Sequence, residues 1–72
     1  MDDIIVVDQI YAWAIEAGDF IRLPDGSEVI VQRVEQSAID NHYSVVYLDD
    51  FGDEEERFTF DQDEMVPLLQ YA

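Results

Sequence analysis

The sequence predicts a small, mainly β domain, a strongly bent sheet or five-stranded barrel with one short N-terminal helix or turn. Three observations lead there. β-Branched and aromatic residues recur in short, often alternating runs, the pattern of half-buried strands. Turn chemistry divides those runs at Gly18, at Pro24-Asp25-Gly26 and at Gly52. Strands spaced roughly 8–12 residues apart in this way suggest a small, strongly bent sheet or barrel. Finally, 49% of the 72 residues are hydrophobic, including four Tyr, four Phe and one Trp. A disordered acidic chain lacks that apolar content, and a chain this short makes one domain, residues 1–72.

Residues 3–7 form an apolar β-branched run that reads as a strand. Residues 8–17 fit two patterns. Asp8 can cap a short helix with Ile10, Trp13, Ala14 and Ala17 on one face, whereas Tyr11, Trp13 and Ile15 alternate as in a strand. The helix or helical turn is the expectation carried forward. Gly18-Asp19 is a turn, Phe20 to Leu23 a short strand, and Pro24-Asp25-Gly26 a tight turn. Residues 27–36 are a strand with Val29 and Val31 inward and Val34 inward after a bulge, leaving Glu28, Gln32 and Glu35 outward. Residues 37–42 are a loop, and 43–49 and 56–60 are the arms of a hairpin that turns around Gly52. A helical turn over 61–64 precedes a last strand to Tyr71, in which Pro67 signals a sheet edge.

Charge sets the limits on function. Eighteen acids against three basic residues (Arg22, Arg33 and Arg57) give a net charge of −15. Direct binding to nucleic acid or an anionic membrane is repulsive at that charge. No apolar run reaches the length of a membrane span and no basic leader region precedes the first strand, so the expected location is cytoplasmic. With no cysteine, disulfides, thiol nucleophiles and Cys-ligated zinc are excluded. Ser37 and Ser44 lack a nucleophile-elbow setting, and His42 has only Asp40 nearby, so no enzyme and no cofactor are expected. The three arginines read as cross-strand partners for outward acids.

The acidic run is the most unusual feature. Nine of the 18 acids lie between Asp49 and Glu64, with one Arg among them. Asp49, Asp50, Phe51, Asp53, Glu54, Glu55 and Glu56 cluster at one hairpin and form the candidate partner-binding site. Spaced carboxylates on a rigid surface can imitate a phosphate track and occupy a basic groove on another protein, with Phe51 as an apolar anchor in a charged rim. Asp25, Glu28, Glu35 and Asp40 would extend the track. Two other readings stand beside this one. An accessory domain could carry its acids for solubility or salt adaptation. A weak divalent-cation module could use the Gly-containing loop, although DDFGDEEE lacks the EF-hand spacing.

The segment AGDFIRLPDGSEVIVQRVE, residues 17–35, resembles the opening hairpin of SH3-like small barrels, in which a Gly-Asp turn leads to a strand, an Asp-Gly turn and a valine-rich strand. The resemblance covers 19 of 72 residues and implies a barrel, with no active site attached. In size and charge the chain also looks like the small acidic proteins of phages and mobile elements that block basic host proteins.

Overall fold

The computed structural model describes residues 3–37 and 41–72. It contains six strands: β1 (Ile4–Tyr11), β2 (Phe20–Arg22), β3 (Glu28–Gln36), β4 (His42–Leu48), β5 (Glu55–Asp61) and β6 (Met65–Tyr71). They make one antiparallel sheet in the order β1-β6-β2-β3-β4-β5. No ladder joins β1 to β5 among the described residues, so the sheet is open and has six strands where five were expected in a barrel.

β3 joins the two halves of the sheet. Glu28, Val29 and Ile30 pair with Arg22, Ile21 and Phe20 of β2, and Val31 onward pairs with β4. The register shifts between Val31 and Arg33, the bulge that the valine pattern required. Beyond it Val34 faces the core again. The core collects Ala12, Ile15, Ile21, Leu23, Val31, Val45, Phe60 and Val66. At the β2–β3 turn, Gly26 takes φ +94°, a conformation that glycine adopts without a Cβ penalty. The Asp25 carboxylate accepts the Ser27 N–H at 2.8 Å, which holds its pKa below the usual carboxylate range.

The N-terminal helix is absent. Residues 8–11 continue β1 and pair with Leu68, Pro67, Val66 and Met65 of β6. Asp8 caps no helix; its Oδ1 accepts the adjacent Gln9 N–H at 2.8 Å, next to a register shift. Only Ala12–Ala14 make a single 3-10 turn. A ladder to β6 satisfies more backbone groups than an isolated short helix could, and tertiary pairing overrides the local signal. Pro67 also misled. β6 is no edge but lies between β1 and β2. Proline is tolerated there because the β2–β6 ladder is one residue pair long, Ile21↔Leu68, leaving few N–H bonds to lose on that side.

The arginines behave as the sequence suggests. Arg22 meets Glu28 at 3.1 Å across the β2–β3 ladder. Arg33 binds Glu35 at 3.2 Å and also Glu55, and Arg57 reaches Glu35 at 3.0 Å. This charged chain crosses the outer face of β3–β4–β5. In the ladder, Val46 sits between Arg33 and Arg57 and is 1% exposed. Arginine stems that flank an apolar residue can shield it while their charged ends stay in water.

Candidate functional site

β4 ends at Leu48 and β5 begins at Glu55, so the acidic hairpin turns over residues 49–54. The Asp49 N–H donates to the Glu54 carbonyl at 2.9 Å, and the Gly52 N–H to the Asp49 carbonyl at 3.0 Å. Gly52 takes φ +73°, which lets the chain reverse. The half-buried Asp49 side chain organises the interior of the loop: its Oδ1 accepts the N–H of Phe51 at 3.2 Å and of Asp53 at 2.9 Å. Asx-type bonding of this kind explains why Asp is suited to the first loop position.

The seven candidate residues therefore divide by role. Asp49 is a structural residue of the turn. Glu55 is held by Arg33, which keeps its carboxyl below the usual range. Glu56, one residue on, points to the opposite face. There it sits beside Tyr47, its partner in the β4–β5 ladder. The Tyr47 hydroxyl is pushed up by burial first, then by the negative charges of Glu56 and Asp25. Asp50, Phe51, Asp53 and Glu54 are left facing solvent, and none of these three acids has an ion-pair partner among the described residues. Phe51 is 86% exposed, more than any other large apolar side chain described.

Behind this hairpin lies a cleft of about 960 Å³. Asp49, Asp50, Phe51 and Glu56 line one side, and Asp25 and Glu28 of the β2–β3 hairpin line the other. Its floor and walls include Phe20, Ile30, Tyr47 and Tyr71. Phe20 and Tyr71 stack with ring centroids 5.2 Å apart. The acids of two hairpins thus share one concavity. Glu35, expected to extend the acidic track, is instead bound by Arg33 and Arg57. Asp40 lies outside the described residues.

The cluster of acids at 49–56 does not by itself point to the aromatic wall. A signal was present. Val29 and Val31 face inward, so Ile30 between them must face outward, and its ladder partner Phe20 shares that face.

His42 and Ser44 stand in cross-strand pairs. His42 Nε2 contacts Asp61 Oδ1 at 2.5 Å as a cross-strand pair. Ser44 Oγ and Thr59 Oγ1 lie 2.8 Å apart in the next outward ladder pair. Among the described residues no group of three His, Cys, Asp or Glu side chains is placed to hold a metal ion. No described helix is long and apolar enough to cross a membrane. No protein family, curated protein or solved structure matches the chain.

Proposed function

We propose that the protein is a non-enzymatic acidic interaction protein that docks a basic surface of another protein through the 49–56 hairpin. The observation that carries this reading is Phe51, 86% exposed at the hairpin and accompanied by the solvent-facing carboxylates of Asp50, Asp53 and Glu54. Exposing a phenylalanine to water is unfavourable, and repulsion among unpaired acids adds to that cost. Both become favourable against a basic partner with an apolar pocket. The −15 charge steers the encounter from a distance, and Phe51 then anchors the complex. A nucleic-acid-binding partner fits best, since its groove already matches a track of negative charge. A cytoplasmic setting and a phage or mobile-element origin accord with this role. The SH3-like resemblance of residues 17–35 belongs to the same proposal, supported by the order turn, β2, Asp25-Gly26 turn and β3.

The test uses a panel of purified basic nucleic-acid-binding proteins, titrated against the chain at about 100 and 500 mM salt. At least one should bind at the lower salt, lose affinity at the higher, and be competed by its own nucleic acid. Phe51→Ala and the triple change Asp50→Asn/Asp53→Asn/Glu54→Gln should each weaken that complex by about tenfold or more. Unchanged binding by both variants would reduce the hairpin to a solubilising turn and favour the accessory reading.

A further inference from the structure

We propose that the cleft between β3 and the 49–54 loop seats an extended cationic peptide segment of the partner, taken up by strand addition. The inference rests on the reading above and deepens it by naming a flexible basic tail as the element recognised.

The cleft is lined by the consecutive residues Glu28, Val29 and Ile30, and opposite them by Tyr47 through Asp50. Side chains alternate between the two faces of a strand. A concavity that touches consecutive residues reaches backbone as well as side chains. The ladders agree. β3 pairs with β4 only from Val31 onward, and because Val31 turns its own N–H and C=O to the β2 side, that last pair is closed by the Leu48 N–H on the Ile30 carbonyl, leaving Glu28 and Val29 beyond it. Ser27 and Val31 turn backbone groups towards the β2 side, where they bond Leu23 and Asp19. By the alternation of an antiparallel pair, Val29 does the same, while the N–H and C=O of Glu28 and the N–H of Ile30 turn towards the cleft. The ends of two neighbouring strands thus diverge and leave a wedge with backbone groups along its side. An extended peptide is the ligand that such an edge binds.

The side chains specify the charge of that peptide. Phe20, Tyr47, Phe51 and Tyr71 line the cleft, and aromatic rings attract guanidinium or ammonium groups. Among the described residues, five carboxylates (Asp25, Glu28, Asp49, Asp50 and Glu56) border the cleft, and no Arg or His lines it. Glu28 is shared with Arg22, Asp49 with its own loop and Asp25 with the Ser27 N–H, which leaves Asp50 and Glu56 to face a cationic ligand. The Tyr47 hydroxyl, raised first by burial, is raised further by the charges of Glu56 and Asp25, which border the wedge. A second copy of a chain carrying −15 is a poor occupant, because each copy repels the other.

The probe is the disordered peptide Arg-Val-Arg-Val-Arg-Val-Arg, with a control of equal charge in which proline replaces each valine. Proline removes the N–H that strand addition needs. Amide chemical shifts of the full chain should move saturably at Glu28, Ile30, Leu48 and Asp50 with the valine peptide. The proline peptide should bind about tenfold more weakly. Asp50→Asn/Glu56→Gln should weaken the valine peptide by about tenfold, whereas Asp53→Asn/Glu54→Gln, which removes as much charge outside the cleft, should change it by less than about twofold. Equal binding of both peptides, with shifts confined to the 51–54 tip, would overturn the cleft and leave the hairpin reading standing. Shifts of the cleft amides with protein concentration alone would assign the cleft to a second copy and overturn the proposal. Absence of saturable cleft shifts at millimolar peptide would also overturn it. The folded basic proteins would then decide the hairpin reading separately.

Discussion

Asp49 separates geometry from charge at the acidic hairpin. Asp49→Ala removes the Oδ1 that accepts the Phe51 and Asp53 N–H groups. Each such bond contributes a net ~0.5–1.5 kcal/mol, and the 3.2 Å member belongs at the weak end, so the pair stabilises the fold by about 1.5 kcal/mol. In a domain of this size that corresponds to a melting temperature lower by about 6–12 °C. Asp49→Asn keeps an acceptor oxygen in the same place and removes one charge from a crowded run, so its stability should stay within about 0.5 kcal/mol of the parent. Thermal and urea unfolding, followed by circular dichroism at about 100 mM salt, reads both variants. If Asn falls as far as Ala, charge rather than the acceptor holds the turn. If neither moves, Asp49 does not organise the loop and the exposure of Phe51 needs another cause.

Phe60→Ala should cost about 3–5 kcal/mol, comparable with the whole stability expected of a chain this short, so urea unfolding should show a largely unfolded population even without denaturant; a cooperative transition near the parent midpoint would mean the core is centred elsewhere. Val46→Ala, beneath the Arg33–Glu35–Arg57 chain, removes two buried carbon units worth about 0.8 kcal/mol each, and urea unfolding should register a loss of about 1.5 kcal/mol despite its place on the outer face. Glu55→Gln is a pH prediction. Arg33 depresses the folded carboxyl pKa, so the ion pair adds stability above the ordinary Glu range and loses it as pH falls through the depressed value. Parent and variant should therefore differ in melting temperature at pH 7 and converge as the pH drops below about 4; a gap that stays constant across that range would show that the pair does not couple to folding.

The strands from residue 20 onward were legible because their cues are local. The Asp25-Gly26 turn, the alternation of Val29 and Val31, and the outward acids fixed the faces of β2 and β3 before any partner strand was known. Val34 resumed the inward face only if a bulge intervened, and the bulge is there. Residues 8–11 were not legible because their state depends on β6, more than fifty residues away in the chain. The same distance hid the character of Pro67, whose central position follows from two strands pairing around it. At the candidate site, composition located the acidic hairpin but could not sort its acids. Whether a carboxylate meets an arginine, a backbone N–H or open water depends on cross-strand register. Glu55 and Glu56 are neighbours of the same charge, yet Arg33 takes one and Tyr47 faces the other.

β1 and β6 bring the two described ends of the chain together, with the Ala72 N–H bonded to the Asp3 carbonyl at 2.7 Å and Ile4 opposite Tyr71. Ile4 and Tyr71 also stand at the cleft. Anything fused to either described end through a short flexible linker therefore starts beside that concavity. Tethering converts a weak bimolecular encounter into an intramolecular one, at an effective concentration in the millimolar range for short linkers. A library of basic segments fused to the C-terminal end could then be ranked by thermal stabilisation of the fusion, since a tail that occupies the cleft holds the folded state and one that does not leaves it unchanged.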